Sequence, residues 1–165
     1  MGAEQIKRSA VADWMTWAAS GLNGMWGDYL AAHENGLAVE MAFYQEGRPL
    51  KLECSALRTA HAAPTPKLCV LVHGLGCNEL LWQFAPPAQE AQAEQAVDYG
   101  RLLQAELGYT PFYVRYNTGL AVAANGRSLG RLLEALVTCY PVPVEEILLI
   151  AHSMGGLVVR SACHY

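Results

Sequence analysis

The sequence contains no apolar run near the roughly 20 residues that a membrane-spanning helix needs. Residues 1–10 carry three charged side chains and lack both the apolar core and the small-residue cleavage site of a secretory signal. We therefore expect a cytoplasmic protein without a transmembrane segment. These absences leave peripheral contact with a lipid surface open and say nothing about the oligomeric state.

Paired cysteines are missing as well. The chain has five cysteines, an odd number, and no C-x-x-C pair, which argues against a disulfide framework and against a zinc cage. We expect free thiols in a reducing compartment, and nothing in the sequence implies a metal or an organic cofactor. The cysteines are Cys54, Cys69, Cys77, Cys139 and Cys163.

Charge is scarce and mixed in sign. Lys and Arg number 11 against 15 acidic residues, charged residues make up 16% of the chain, and the net charge is -4. Because there is no basic stripe, nucleic acid is not an expected partner, and a small neutral substrate fits better. Hydrophobic residues reach 53% of the 165 residues, which is enough for the single core of one domain.

Strand-like and helical apolar patterns alternate over most of the chain. Strands are predicted at residues 37–45 and 50–57, joined by a hairpin turn at 46–49, and at Lys67–Val72, 111–116 and Glu146–Ala151. Helices are predicted at 96–107, closed by Gly108, and at 126–140. Strands joined by crossover helices predict an α/β fold, with a mostly parallel sheet and an antiparallel N-terminal hairpin.

Residues 11–29 show a helical apolar pattern that three glycines weaken. This face could lie on a membrane or cover a lipid site, but its polar side lacks the Lys and Arg that interfacial helices favour. We therefore expect the face to pack against the rest of the domain. Its residues are Val11, Trp14, Met15, Ala18, Leu22, Met25, Trp26 and Tyr29.

Ser153 stands where an apolar strand gives way to a helical run. The order of residues is Ala151-His152-Ser153-Met154-Gly155-Gly156. This spacing is typical of the G-x-S-x-G nucleophile elbow, in which small residues two before and two after the serine permit a tight turn; alanine here adds one methyl group. The simpler alternative is a serine that only caps a helix N-terminus. The two glycines and the preceding His152 favour the elbow.

A second turn follows the first parallel strand, with the order His73-Gly74-Leu75-Gly76. Acyl transfer builds negative charge on a carbonyl oxygen, which two converging backbone N–H groups can stabilise. The candidate donors are the amides of Leu75 and Met154. His73 is then a structural histidine, because as a general base it would lie on the wrong loop and precede the serine in the chain.

The segments "LVHGLGCNELLW", "YVRYNTG" and "LLIAHSMGGLVVR" resemble the N-terminal half of an α/β-hydrolase. They are most similar to the lipase-like branch that includes GPI inositol-deacylase-type and bacterial triacylglycerol lipase-type sequences. The resemblance covers residues 50–165. It implies an incomplete α/β-hydrolase domain at 37–165 that is truncated after the elbow helix, and the helical pattern before it predicts a separate N-terminal helical segment at 1–36.

The resemblance also implies a catalytic acid and histidine after the serine. The chain offers no acid there, and His164 would lie roughly 15 Å along the following helix. His152 points to the other side of the turn. Upstream combinations of Asp98 or Asp28 with His33 or His61 are conceivable but lie away from the expected strand ends. We therefore expect both groups to be absent from this chain, which alone would be nearly inactive, with the last strand left as an unpaired edge.

The leading interpretation is a serine ester hydrolase of lipase or esterase type, acting on a carboxylic ester with an apolar acyl chain. Ser153 would attack the acyl carbonyl, and the amides of Leu75 and Met154 would bind the oxyanion. Two alternatives remain open. One is a non-catalytic binding protein, or inactive fragment, on the same fold; the other is an acyltransferase or thioesterase with the same elbow.

Overall fold

A computed structural model of the chain describes residues 15, 17–25, 27, 29, 39–61, 63–84 and 97–165. Its centre is a five-stranded sheet in the order β2-β1-β6-β3-β7. The strands are β1 (Ala42–Gln45), β2 (Arg48–Pro49), β3 (Lys67–Val72), β6 (Thr110–Arg115) and β7 (Glu146–Ala151). A separate two-stranded ladder joins β4 (Gln83–Phe84) to β5 (Val97–Asp98).

Helices and the sheet alternate along the chain, as the α/β prediction requires. The helices are α1 (described at residues 15, 17–25, 27 and 29), α2 (Cys54–Ala60), a 3₁₀ helix (Glu79–Trp82), α3 (Tyr99–Leu107), α4 (Val122–Cys139) and α5 (Met154–Ala162). No helix in the described ranges is long and apolar enough to cross a membrane.

β3 is an interior strand of the sheet, and it pairs in parallel with both β6 and β7. Its five residues after Lys67 are buried because both sheet faces are covered. Leu68, Val70 and Val72 belong to the larger core under α4 and α5, whereas Cys69 and Leu71 pack with Trp82 and partly buried residues that include Leu103 of α3. The predicted bounds of β3 and β7 are confirmed to the residue.

The predicted N-terminal hairpin is present but shorter than expected. Its turn has only two residues, Glu46 (φ 51°) and Gly47 (φ 75°), a pair of positive φ angles that matches the twist of hairpin strands. The paired residues end at Tyr44 and Pro49, and the Leu50 N–H donates to the Phe43 carbonyl (2.7 Å) just beyond them.

The strand predicted at 50–57 is wrong, because its second half forms α2. Cys54–Ala60 is a single short helix that buries Leu57 completely against the main core. The alternation of Leu50, Leu52 and Cys54 gave a strand-like period. Tertiary burial of Leu57 overrides that weak local preference.

The boundaries of two other helices differ from prediction. α3 begins at Tyr99, where the side chain of Asp98 accepts a hydrogen bond from the Arg101 N–H (3.0 Å), and it ends as predicted at Gly108 in the left-handed conformation. α4 begins at Val122 and passes through Gly126. A Cβ at Gly126 would lie 2.3 Å from the Ser161 hydroxyl, so this glycine permits the close approach of α4 and α5.

α1 packs against the domain, but with the face opposite to the predicted one. Met15, Ala18, Leu22, Met25 and Tyr29 are exposed, whereas Ser20, Asn23 and Gly27 are buried. The buried face meets two loops closely: Asn78 donates to the Ser20 hydroxyl, and a Cβ at Gly27 would collide with the Asn117 side chain. Val11, Trp14 and Trp26 of the predicted face lie outside the described residues.

Candidate active site

Ser153 occupies the turn between β7 and α5 with a backbone conformation that non-glycine residues rarely adopt. Its φ is 53° and its ψ is -124°. These are the angles of the first central residue of a type II′ turn, where glycine is usual. The turn closes with a hydrogen bond from the Gly155 N–H to the His152 carbonyl (2.9 Å). The strand, sharp turn and helix predicted from the sequence are therefore present around this serine.

The Ser153 side chain is exposed and does not cap α5. Ser153 is the N-cap residue by position, yet its hydroxyl accepts no capping hydrogen bond from the helix. The alternative of a serine that serves only as a cap therefore has no support. A strained residue of this kind costs on the order of 1–3 kcal/mol, and such strain clusters at functional sites.

The small residues around Ser153 have different roles. A Cβ at Gly155 would lie 2.5 Å from the Val72 carbonyl oxygen and 2.6 Å from that of His73, so α5 reaches the end of β3 only with glycine here. Ala151 is half-buried against the main core. Gly156 was also assigned to the elbow, but a Cβ there would meet no atom within 4 Å, so packing does not require it.

The His73-Gly74 turn lies directly against Ser153. A Cβ at Gly74 would lie 3.0 Å from the Ser153 Cβ and 3.1 Å from the His152 Nδ1. The two turns meet because β3 and β7 are parallel neighbours in register, with Val72 opposite Ala151. The His152 N–H continues this ladder by donating to the Val72 carbonyl (3.0 Å).

The backbone N–H groups of Leu75 and Met154 are free to donate hydrogen bonds to a ligand. Neither N–H donates to another group in the part of the chain that the structure describes. The Gly74 carbonyl accepts from the Cys77 N–H (3.2 Å) and lies 3.0 Å from the His73 Nδ1. Because the C=O and N–H of one trans peptide point in opposite directions, the Leu75 N–H points away from the buried His73 ring.

His73 lies in the interior of the protein, behind this turn. Its ring is fully buried and stacks on Tyr116 with the centroids 4.5 Å apart. Burial lowers the pKa of His73 to about 4, helped by the nearby Arg115 charge and opposed by the bond to the Gly74 carbonyl. The ring is thus neutral near pH 7, and its Nδ1–H can donate to Gly74 and fix that turn.

A buried asparagine network holds the loops beside this site, and the sequence analysis did not assign these roles. Asn117 Nδ2 donates to the Gly27 carbonyl (2.8 Å), and Asn125 Nδ2 donates to the Asn117 carbonyl (2.9 Å). The Gly76 N–H donates to the Thr118 hydroxyl oxygen (3.0 Å). The loops after β3 and β6, together with α1 and α4, are therefore linked. The sequence signal that could have indicated this network is Asn117, which directly follows the strand predicted at 111–116.

An ion pair also links the elements around this site. Arg115, at the end of β6, donates through its Nε to a carboxylate oxygen of Glu79 (2.6 Å) and pairs through Nη2 with the other oxygen. The guanidinium also lies 3.9 Å from the centre of the Tyr44 ring. This pair ties the 3₁₀ helix after the His73-Gly74 turn to the central strands.

Within the described ranges, the structure brings no pair of an acid and a histidine to Ser153. Asp98 accepts from the Arg101 N–H and the Tyr113 hydroxyl, and His61 lies against Phe112 with the ring centroids 4.9 Å apart. These groups line a cavity of about 520 Å³ beside the hairpin turn, and Ser153 does not border it. His164 follows the far end of α5, and Asp28 and His33 lie outside the described residues. In the described ranges, no group of three or more His, Cys, Asp or Glu side chains could hold a metal ion.

Fold and site together define an α/β protein that presents an exposed, strained serine beside the glycine turn of a neighbouring parallel strand. The family model described as "Putative serine esterase (DUF676)" matches residues 63–165, a range that includes β3, β6, β7 and both turns. Since this range is more than half of the sequence, the chain belongs to that serine esterase family. No curated protein and no solved structure gives a significant match.

Proposed function

We propose that this chain carries the nucleophile and the oxyanion-binding groups of a serine ester hydrolase of the lipase or esterase type. The observation that carries the proposal is Ser153 itself, held at a strained φ with its hydroxyl exposed and unused as a cap. The substrate class is a carboxylic ester with an apolar acyl chain. The family match supports esterase chemistry, and the branch within the superfamily is part of the proposal.

In this mechanism, Ser153 Oγ attacks the acyl carbon while its proton passes to a general base. The negative charge that develops on the carbonyl oxygen is stabilised by the N–H groups of Leu75 and Met154, which have no other acceptor among the described residues. The ester C–O bond then breaks and the alcohol leaves. Water cleaves the acyl-serine and regenerates the hydroxyl.

The base and its acid partner come, in this proposal, from residues outside the described part of the chain. Three described histidines lie away from Ser153: His73 is buried under Tyr116, His61 packs on Phe112, and His164 follows the far end of α5. The fourth, His152, directly precedes the serine and places its Nδ1 beside Gly74. Oxyanion donors and substrate binding without a base support only a residual rate. Activity is therefore a property to measure on the complete natural polypeptide.

The test is steady-state hydrolysis of a short-chain p-nitrophenyl ester by that polypeptide and two serine variants. Ser153→Ala should lower kcat/KM by at least about 10³-fold, since removal of a nucleophile leaves only residual catalysis. Ser55→Ala, an exposed serine on α2, is the matched control and should keep the full rate. Equal rates for the wild type and Ser153→Ala would disprove the nucleophile assignment.

A further inference from the structure

The outer face of α1 is an exposed apolar stripe beside the candidate active site. Met15, Leu22 and Met25 are 61%, 46% and 71% exposed, and Ala18 between them is also exposed. Their spacings of three, four and three residues place them on one side of a helix. An apolar stripe of this kind facing solvent indicates a binding surface.

The inner face of α1 fixes this orientation. Asn78 Nδ2 donates to the Ser20 hydroxyl oxygen (3.1 Å), and a Cβ at Gly24 would lie only 3.0 Å from the Gly76 Cα. With the bond from Asn117 to the Gly27 carbonyl, these contacts hold the polar and small residues of α1 on the two loops beneath. Rotation of α1 to bury its apolar side would break all of them.

The stripe is close to the serine turn through one intervening loop. Gly76, against which Gly24 packs, is two residues from Gly74, which lies against Ser153. Leu75 between these glycines is 57% exposed and adds an apolar side chain on the site's own turn. A surface that binds the stripe would therefore lie next to the Ser153 turn.

The charge of the sequence that contains the stripe selects the kind of surface. Residues 9–47 contain five acidic residues and no Lys or Arg. Anionic lipids and nucleic acids attract basic segments, so this segment is repelled by them. In the sequence analysis, the lack of Lys and Arg disfavoured a helix lying on a membrane. That argument applies only to a membrane surface with negative charge. An uncharged or zwitterionic lipid surface carries no such penalty.

We propose that the α1 stripe, defined as Met15, Leu22 and Met25 together with Leu75, docks on an uncharged lipid surface. The esters presented to Ser153 are then neutral or zwitterionic acyl lipids. The docking rests on the stripe alone, and the substrate class rests also on the proposed esterase function.

The experiment measures co-sedimentation of the full natural polypeptide, carrying Ser153→Ala to prevent turnover, with phosphatidylcholine vesicles. Insertion of each large apolar side chain contributes about tenfold to partitioning, so Leu22→Ser with Met25→Ser should weaken binding by at least about tenfold. The matched control is Leu107→Ser with Val137→Ser, two exposed apolar residues on α3 and α4, and it should bind like the parent. Replacing a fifth of the lipid by phosphatidylglycerol should weaken binding of the parent.

Three results would overturn the docking proposal: no binding of the parent to phosphatidylcholine, equal loss in both double variants, or a dimer in sedimentation velocity that the stripe variant alone abolishes. The last result would assign the stripe to a second copy of the chain. A single Met25→Gln variant repeats the test if the double variant melts earlier than the parent. The Leu22→Ser, Met25→Ser double variant is also made with Ser153 intact, and it should hydrolyse a monomeric short-chain ester as fast as the wild type. If the wild type itself does not hydrolyse this ester, the esterase function fails independently of the docking.

Discussion

The proposed nucleophile has one of the most strained backbone conformations among the described residues. Ser153 has φ 53° and ψ -124°, and among the described residues only Glu46 shares a positive φ without being glycine. Glu46 lies in a hairpin turn that glycine or asparagine would also suit. At position 153, a change to glycine would relieve the backbone strain but would also remove the hydroxyl group.

Ser153→Gly should therefore stabilise the fold and abolish ester hydrolysis. Release of the strain contributes roughly 1–3 kcal/mol, and the greater freedom of glycine in the unfolded chain offsets about 0.4–1 kcal/mol, which leaves a gain of about 1 kcal/mol. Ser153→Ala keeps the strained backbone and should stay within about 1 kcal/mol of the wild type. The measurement is urea unfolding of both variants. A glycine variant no more stable than the alanine variant would mean that the turn is relaxed.

Acid should remove the stability that buried, neutral His73 contributes. Burial lowers its pKa from 6.5 to about 4 in the folded state, so the unfolded chain takes up a proton first as the pH falls. The contribution is present above pH 6.5 and is lost as the pH falls through that window towards 4. It is on the order of 3 kcal/mol.

The measurement for His73 is the unfolding free energy of the wild type and of His73→Gln at several pH values from 7.5 to 4. The advantage of the wild type should shrink as the pH falls, because the glutamine variant has no group that titrates there. An advantage that stays constant with pH would show that His73 is accessible to protons in the folded protein.

At the scale of elements, the site depends on α5 starting very close to the end of β3. Gly155→Ala should destabilise the protein by at least about 2 kcal/mol, since its Cβ would meet two backbone carbonyl oxygens that cannot move aside. Gly156→Ala, one residue further along α5, meets open space and should stabilise by about 0.5–1 kcal/mol through helix propensity. Thermal unfolding of this adjacent pair measures the contrast, and similar effects at both positions would contradict the packing.

The sequence predicts the strands that are continuous apolar runs and fails where tertiary contacts decide. β3 and β7 are continuous apolar runs with turn residues at both ends, so their bounds were predictable. α2 was missed because Leu50, Leu52 and Cys54 alternate as in a strand, whereas the seven residues from Cys54 form a short helix around one buried leucine. The exposed apolar side of α1 was not predictable, since burial on polar loops reverses the usual direction of amphipathic packing.

At the scale of the whole molecule, the site is assembled by two parallel neighbours. β3 supplies the His73-Gly74-Leu75 turn and β7 supplies Ser153, while the asparagine network and the ion pair of Arg115 with Glu79 hold the surrounding loops. The serine turn was predictable because its residue spacing reflects close backbone approach. The network was not predictable, because its members lie far apart in the chain and nothing local indicates which carbonyl each asparagine meets.

The account depends most on Ser153 being an activated nucleophile. The most direct measurement is incubation of the complete natural polypeptide with a fluorophosphonate, followed by mass spectrometry of the peptides. We predict a stoichiometric phosphonyl adduct on the peptide that contains Ser153, absent after prior denaturation and absent in Ser153→Ala. An intact polypeptide that remains unmodified, or one that is modified only at another serine, would contradict the assignment of Ser153 as the catalytic nucleophile.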